Sequence, residues 1–549
     1  MANSPSNAPA ATRGGLHWRV ERSAETATRK TKQCFCLCCN TETQHTALPL
    51  EPLSRFKPSA MAPPSHTANT AGAIKRIAKE IAHIQNGSDL SLAVACRDDD
   101  VRQLHALIVG PPETPYEFGF FEFIFKFPRD YPIKPPHVTC ITTNSGRTRF
   151  GPNIYNTGKV CLSILGTWHG EKGEEWSSAQ GLESVLLSIQ SLMSSNPMEN
   201  EPGFEDFKLV HPEAKAYAWK IQHETLRISV IERMEKILKI EAKQPKTWTP
   251  VIKRKETTAG SPSSKDDDND DPNEDDIDDL DENPDLYEYD AMATYNRLNP
   301  APWDPFADLL CRRFLWYYDS YIAAIGKASP RQKDGTAFPT ASFEYGGNGM
   351  PGAYAYENLR LRLDDIRAAL SAECTAWTTA GAAQVAAQTQ LATQLAFQFT
   401  QLQHHYSQPA SASGGARLDL SLPDKTNPFA WRLTLFGAPS TNLDAGVFNI
   451  ALTIPPTFPA AWPRVYVETP IFHARVSATT GALAYFPTKP DEIASHVAAI
   501  VAAIEDAEPK FEPRAAVNPE AAGLLWGDEG GRKVYRRRLR RSAQESSEF

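Results

Sequence analysis

The segment RFGPNIYNTGKVCLSIL, residues 149–165, places a cysteine directly after two turns and ahead of an apolar run. Pro152 and Asn153 open the first turn, residues 156–158 form the second, and Cys161 follows. Proline, asparagine and glycine favour turns because of their backbone preferences. A thiol on such a segment is reachable, whereas a structural cysteine usually lies inside a regular strand or helix. Cys161 is therefore either a reactive thiol or a small buried apolar side chain.

Asn153 lies eight residues before Cys161, across the second turn. A cysteine that exchanges acyl groups needs an amide or hydroxyl donor near the oxyanion that forms. Asn153 is the candidate for that donor, and Cys161 is the candidate nucleophile.

Four further motifs surround this segment in a fixed order, and each combines aromatic residues with turn residues. They are GPPETPYEFG (110–119), FEFIFKFP (121–128), YPIKPP (131–136) and WSSAQ (176–180). Together they resemble the catalytic core of the ubiquitin-conjugating enzymes over roughly residues 72–235. FGPNIYNTGKVCLSILGTW (150–168) and NEPGFE (200–205) are similar to the branch called ubiquitin-conjugating enzyme Z. The resemblance implies that Cys161 carries ubiquitin or a ubiquitin-like protein as a thioester and passes it to a substrate lysine.

Hydrophobic periodicity predicts an α+β fold in which a four-stranded antiparallel meander is flanked by helices. A helix over residues 72–86 has isoleucines at helical spacing, namely Ile74, Ile77, Ile81 and Ile84. Strand-like runs follow at 104–109, 120–127 and 137–141, and helices are predicted at about 178–194 and 212–240. The proline-rich spacer 131–136 cannot lie inside a central strand.

Composition divides the chain into five parts. Residues 1–71 are rich in Ala, Ser, Thr and Pro and predict a disordered tail, followed by the catalytic core at 72–240. Residues 241–300 form an acidic linker, in which 266–285 hold thirteen Asp or Glu and no Lys or Arg. Mutual repulsion should keep this block extended, as a solvated spacer or as a binder of a basic partner. A mostly helical connecting region at 301–414 and a second domain at 415–541 follow.

The second domain repeats the motifs of the first in degenerate form. The turn 480–484 occupies the place of residues 157–161, so that Ala484 stands where Cys161 stood and Arg475 replaces Asn153. No thioester can form on alanine. We expect an inactive copy that acts as a binding module, separable from the first copy by truncation before residue 300.

The resemblance also implies partners and the residues that meet them. Lys75, Arg76 and Lys79 on the first helix are expected to contact the activating enzyme, although a solvated helix face is the alternative. Ile133 and the loop with Ser178 and Ala179 are expected to contact a ligase. No cofactor is expected, since the activating enzyme consumes the ATP.

In many family members an acidic residue lies on the loop after the long helix and assists the attacking lysine. Asn200 aligns with that position here, which leaves its neighbours Glu199 and Glu201 as candidate carboxylates. A charged insertion at 169–175 could screen or steer the incoming nucleophile, or be a tolerated surface loop. Gly151 replaces the family's usual, mainly structural, histidine.

Charge and cysteine usage limit the remaining function classes. The net charge is −9, but the acidic block alone accounts for thirteen negative charges, so no global basic field suggests nucleic acid. No apolar run approaches the ~18 residues of a membrane helix. Nine cysteines without a disulfide-like spacing predict a reducing compartment, the cytoplasm and/or nucleus. The cluster CFCLCC (34–39) could bind metal or lipid, and would be irrelevant if translation started at Met61.

Two other function classes remain open at this point. In a scaffold, both domains would bind ubiquitin or a partner without chemistry, which the retention of Cys161 and Asn153 in one copy disfavours. In a cysteine protease a histidine would activate the thiol, and His169 in the charged insertion is the available one.

Overall fold

A computed structural model of the chain describes residues 66–170, 173–241, 303–344, 349–407 and 417–548. The predictions for residues 1–65, for the cysteine cluster 34–39 and for the acidic block lie outside these described residues. The first helix begins at His66, so regular structure starts ahead of the predicted boundary at residue 72.

The first copy is an antiparallel meander of four strands in sequence order, as the sequence predicts. The strands are β1 (Leu92–Arg97), β2 (Asp100–Val109), β3 (Phe120–Lys126) and β4 (His137–Cys140), and α1 (His66–Gln85) precedes them. Sequence analysis missed β1, since LAVACR is short and contains two alanines, which favour strands weakly. It also began β2 at Leu104, four residues late.

One face of α1 packs on the sheet and differs by one residue from the predicted face. Ala73, Ile77 and Ile81 are buried, whereas Ile74 is 39% exposed. Residues 73, 77 and 81 recur every four positions and share one side of a helix, and Ile74 lies about 100° away from them. The predicted apolar stripe was therefore wrong at Ile74.

Further helices complete the first copy. They are α2 (Leu182–Ser191), α3 (Pro212–Glu224), a π-helical segment (Thr225–Glu232) and α4 (Arg233–Leu238). The last three run on without a break, close to the predicted 212–240, while α2 is shorter than predicted. The core between helices and sheet contains Phe121, Phe123, Phe125 and Ile189, each at 0% exposure.

The second copy repeats this architecture. Strands β5 (Arg417–Ser421), β6 (Ala430–Phe436), β7 (Val447–Thr453) and β8 (Arg464–Val467) form another meander. Helices α8 (Ile493–Glu505), α9 (Pro519–Leu525) and α10 (Glu529–Glu545) follow it. Backbone hydrogen bonds match as well: the Gly110 amide bonds the Gly119 carbonyl at 2.8 Å, and the Gly437 amide bonds the Gly446 carbonyl at 2.8 Å.

Three helices form the connecting region: α5 (Ala307–Ala328), α6 (Tyr356–Ala386) and α7 (Gln390–Ser407). Helix α5 belongs to one buried cluster with residues of both copies. On the first copy, the Tyr317 ring stacks on Phe118 with centroids 4.3 Å apart, and the Tyr321 hydroxyl donates to the Phe118 carbonyl at 2.8 Å. On the second copy, the Tyr317 hydroxyl donates to the Arg514 carbonyl at 3.0 Å.

These contacts contradict the expectation of a separable second copy. Leu107, Val109 and Phe120, on the sheet of the first copy, lie in the same buried cluster as α5. Removing the chain after residue 300 would take away the α5 side chains that pack in this cluster, and each buried side chain of this size contributes about 1.5–3 kcal/mol. The described residues of both copies and of the connecting region accordingly belong to a single compact unit.

Candidate active site

A tight turn after β4 positions Cys161. Gly158 has φ +89°, and a Cβ added there would lie 2.5 Å from the Cys140 carbonyl oxygen, so the turn requires glycine. The Cys140 amide bonds the Gly158 carbonyl at 2.8 Å. The chain then pairs with its own preceding loop, and the Cys161 amide bonds the Asn153 carbonyl at 2.9 Å. The two residues that the sequence nominated are therefore brought together.

The Cys161 thiol is less accessible than its turn-rich context predicts. The residue is 4% exposed, close to Ile164 and Leu165, which are also buried. The apolar run after Cys161 forms a short 3₁₀ helix, Ser163–Leu165, whose two apolar side chains are buried. Cys161, just before this helix, is buried with them. Within the described part of the chain, the thiols of Cys161, Cys140, Cys311 and Cys374 form no disulfide.

Tyr155 is a neighbour of the thiol that sequence analysis did not nominate. Its hydroxyl lies near enough to Cys161 for the two groups to interact electrostatically. Partial burial, and then the proximity of Cys161, raise the pKa of Tyr155, so its hydroxyl stays protonated at neutral pH. His169, the histidine available to a protease mechanism, is exposed on the charged insertion.

Arg149 supports the loop that carries Asn153 and Tyr155. It is 4% exposed, its guanidinium lies 4.4 Å from the Tyr155 ring centroid, and its Nε donates to the Gly151 carbonyl at 3.1 Å. Its terminal nitrogen also donates to the Pro152 carbonyl. A planar guanidinium can satisfy several carbonyls while stacking on a ring. Sequence reasoning missed Arg149 because an arginine beside a loop is usually a surface residue.

The three candidate residues on the loop after the long helix, Glu199, Asn200 and Glu201, make different contacts in the structure. Glu201 forms an ion pair with Arg149 at 3.4 Å, and its side chain is 25% exposed. Burial raises the pKa of Glu201, and Arg149 opposes that effect. Glu199 instead accepts from the Asn196 amide at 3.3 Å, and Asn200 donates to the Leu192 carbonyl at 2.9 Å. Glu201 is thus the carboxylate that the structure connects to the Arg149–Tyr155 group.

Asn153 holds the backbone of the site. Its amide nitrogen donates to the Cys161 carbonyl at 3.2 Å, opposite the bond from the Cys161 amide to the Asn153 carbonyl. Its amide oxygen is buried and has no hydrogen-bond partner. Of the two roles considered for Asn153, the resting geometry therefore supports holding the adjacent loop, and it leaves the oxyanion role untested.

Comparison with known proteins identifies this arrangement. A profile of the family described as "Ubiquitin-conjugating enzyme" matches residues 76–223 and 405–541, which together make up just over half of the chain. The chain belongs to the ubiquitin-conjugating enzyme family. Both copies of the meander are thus family domains.

Named relatives match a part of this chain. "Ubiquitin-conjugating enzyme E2 Z" of Xenopus tropicalis is 46% identical over 188 residues, covering 34% of this chain and 58% of the relative. The human protein of that name is 50% identical over 161 residues, 29% of this chain and 44% of the relative. Human "Dual E2 ubiquitin-conjugating enzyme/E3 ubiquitin-protein ligase BIRC6" is 43% identical over 147 residues, 26% of this chain and 3% of the relative. This chain therefore spans about half the length of the E2 Z relatives.

Among solved structures, the E2 domain of a Toxoplasma gondii ubiquitin conjugating enzyme is 29% identical to this chain. The match covers 28% of this chain and 97% of that domain, with a TM-score of 0.23.

The residues nominated for partner contacts lie on the surface of this family domain. Lys75 and Lys79 are exposed on α1, and Arg76 bonds both Glu80 and the Gln180 carbonyl, the latter at 3.0 Å. Ala179, Arg76 and Lys79 line one groove of about 380 Å³. Ile133 is 72% exposed and Ser178 is exposed. The structure therefore leaves these residues available, with Arg76 also tying α1 to the loop.

The charged insertion folds back toward the residues after Cys161. The Ser163 hydroxyl donates to the Glu174 carboxylate at 3.2 Å, and a Cβ on Gly170 would lie 2.3 Å from the Ser163 Cβ. The described part of the insertion is thus next to the thiol segment, as steering of a nucleophile would require.

The second family domain keeps the backbone of the site without its chemistry. The Ala484 amide bonds the Arg475 carbonyl at 2.9 Å, matching the bond between Cys161 and Asn153. Ala484 is 0% exposed and belongs to the cluster that includes Trp316 and Tyr317 of α5. The degenerate site therefore packs against the chain's own helix.

Within the described residues, no group of His, Cys, Asp or Glu has the arrangement of a metal site. In the same part of the chain, none of the helices has the length and apolar character needed to cross a membrane.

Proposed function

We propose that the first family domain conjugates ubiquitin or a ubiquitin-like protein, which it carries as a thioester on Cys161. The observation that carries this proposal is the contrast between the copies. Cys161 and Asn153 are joined at 2.9 Å in the first, whereas Ala484 and Arg475 occupy the same geometry in the second. A scaffold would need no thiol in either copy.

In the first step, the Cys161 sulfur attacks the carbonyl carbon of the thioester that an activating enzyme presents. The activating enzyme's cysteine leaves and is reprotonated, and a new thioester to Cys161 remains. This exchange needs no cofactor here, because the activating enzyme has already spent ATP.

In the second step, the neutral amine of a substrate lysine attacks the thioester carbonyl. An isopeptide bond forms, the Cys161 sulfur leaves, and the ammonium proton passes to solvent or a base. Lysine has a reference pKa of ~10.4, so the site must favour its neutral form. Glu201 is our candidate for receiving the lysine or its proton, because it is the carboxylate linked to Tyr155 through Arg149. Glu199 and Asn200 are assigned to holding the loop.

Partner surfaces form part of the proposal. Lys75, Arg76 and Lys79 would contact the activating enzyme, and Ile133 with Ser178 and Ala179 would contact a ligase. A free catalytic thiol requires a reducing compartment, which is consistent with the cytoplasm and/or nucleus.

One experiment tests the proposal directly. The purified full chain is offered several activating enzymes, each with ATP and its own modifier, and adducts are resolved on gels with and without reductant. We expect at least one modifier to give an adduct that reductant removes. Failure of every activating enzyme and modifier pair to charge the chain would contradict the proposal.

A further inference from the structure

A segment of the connecting region completes the site of the first copy. Residues 336–344 and 349–354, here named the hairpin segment, follow α5 and lead into α6. Its two arms pair through Ala337 and Ala353, and the Phe338 amide bonds the Gly352 carbonyl at 2.9 Å. Ala341, Phe343 and Met350 belong to the core of the first copy, although they lie 180–189 residues after Cys161 in sequence.

A buried ion pair anchors the hairpin segment to α3. Lys220 is 1% exposed, pairs with the Glu344 carboxylate and donates to the Pro339 carbonyl at 3.0 Å. The Ala341 amide donates to the same carboxylate at 2.8 Å. If either partner moved away, the other would be left as an unpaired buried charge, so the pair holds the segment in place.

Two residues of the hairpin segment contact Arg149. The Met350 sulfur accepts the Arg149 backbone amide at 3.1 Å. The Phe343 ring centroid lies 5.7 Å from the Arg149 guanidinium. Phe343 is itself held edge-on by Tyr217, with ring centroids 5.1 Å apart, and by Phe204 at 5.7 Å. The hairpin segment therefore limits where Arg149 can lie.

Arg149 connects the hairpin segment to the loop beside Cys161. It bonds the Gly151 and Pro152 carbonyls on either side of the loop that leads to Asn153, and it covers the Tyr155 ring. Asn153, on that loop, donates from its side-chain amide to the Cys161 carbonyl at 3.2 Å and accepts the Cys161 backbone amide at 2.9 Å. Each contact in this series is buried or half-buried, so solvent does not relax it readily.

We propose that Met350 and Phe343 are positioning residues for the thioester reaction, which hold Arg149 and, through it, the loop of Asn153 and Tyr155 against Cys161. This inference rests on the proposed function for its role in catalysis. It assigns to the connecting region, which the family profile leaves unmatched up to residue 404, a part in the active site.

The test uses the full chain with three variants of Met350 and Phe343. Met350→Ala removes volume and the sulfur acceptor, whereas Met350→Leu restores the apolar volume without the acceptor. Phe343→Leu keeps an apolar side chain but removes the ring beside Arg149. Phe397→Leu is the matched control, because Phe397 is in the same connecting region and is 63% exposed.

Two readouts separate positioning from folding. The first is discharge of the preformed thioester to free lysine, measured against lysine concentration to obtain the limiting rate and the half-saturating concentration. The second is the alkylation rate of Cys161 in the uncharged protein, resolved by peptide mass spectrometry. A displacement of about 1 Å in a site can cost on the order of 10²-fold in rate. We expect Met350→Leu and Phe343→Leu to lower the limiting rate about tenfold or more and to speed alkylation of Cys161, with unchanged melting temperature in Met350→Leu.

Met350→Leu should therefore discharge the thioester as slowly as Met350→Ala, even though it restores the apolar volume. Phe397→Leu should behave as wild type. If Met350→Leu and Phe343→Leu both retain wild-type discharge and alkylation, the hairpin segment only fills space and the inference is overturned. If the wild-type chain cannot be charged at all, the proposed function fails, and the alkylation rates still decide whether the hairpin segment controls Cys161.

Discussion

At the residue scale, the thiol segment shows what sequence motifs can and cannot reveal. Cys161 and Asn153 were nominated from one short stretch, and the structure joins them by two hydrogen bonds. Tyr155 and Arg149 lie in the same stretch but were not nominated. Their roles depend on burial and on contacts such as that with Met350, which no local pattern encodes.

The first prediction concerns Asn153. We expect Asn153→Ala to reduce transfer to lysine more than charging, because the loop loses its bond to the Cys161 carbonyl or the oxyanion loses a donor. Loss of one such donor costs on the order of 10²–10³ in rate. Single-turnover charging and discharge measure the two steps separately.

Asn156→Ala is the control, since Asn156 lies on the same loop and donates to the Gly146 carbonyl. Unchanged isopeptide formation by Asn153→Ala would contradict both roles.

At the scale of elements, the sequence predicted most helices and strands but not the contacts that hold them together. Strand β1 was missed for want of a strong pattern, and α2 proved shorter than predicted. At the end of α3, burial alone would raise the pKa of Glu224, but hydrogen bonds from Arg227 and His223 outweigh it and lower the pKa to about 2. The His223 ring also accepts the Ala355 amide at 3.1 Å, which ties α3 to the start of α6.

The second prediction follows from Glu224. Its native pKa lies below its unfolded value of ~4.3, so the unfolded chain takes up the proton first as the pH falls. The stabilisation from Glu224 is thus complete above about pH 5 and is lost as the pH falls through the native value. Glu224→Gln should lower the free energy of unfolding at neutral pH by roughly 3 kcal/mol, as expected when a buried pair loses one partner.

Chemical denaturation at several pH values measures this effect. The stability of Glu224→Gln should change less than that of wild type between pH 5 and pH 2. Glu357→Gln, at an exposed pair with Arg360, should behave as wild type. Equal pH dependence in wild type and Glu224→Gln would rule out this role.

At the scale of the whole molecule, the repeated domain was read from degenerate motifs, and the structure shows its second meander. Its independence was predicted wrongly. An acidic linker suggests loosely tethered domains, but the aromatic residues of α5 are buried against both copies. Sequence could identify Phe314 or Tyr317 as helix residues, but not the surfaces that they cover.

The third prediction is that the copies unfold together. Arg464 of the second copy is 3% exposed, and its guanidinium bonds Asp308 of α5 at 2.7 Å and lies 3.5 Å from Glu373 of α6. Arg464→Met leaves two carboxylates without this partner and should cost about 3–5 kcal/mol.

The labelling rate of the Cys140 thiol measures unfolding of the first copy, because Cys140 lies there at 0% exposure, whereas Arg464 lies in the second copy. With Arg464→Met we expect faster labelling of Cys140 under mild denaturant, whereas Arg432→Met, at an exposed pair with Glu468, should leave it unchanged. Wild-type protection of Cys140 in a destabilised Arg464→Met protein would show that the copies unfold separately.

The central claim is that Cys161 alone carries the modifier. The most direct measurement is charging of Cys161→Ser, Cys161→Ala, Cys140→Ser and Cys96→Ser by the activating enzyme that charges wild type, followed on gels with and without reductant. We expect Cys161→Ser to give an adduct stable to reductant or none, Cys161→Ala to give none, and the other two to charge normally. A reducible adduct that persists in Cys161→Ala would contradict the account.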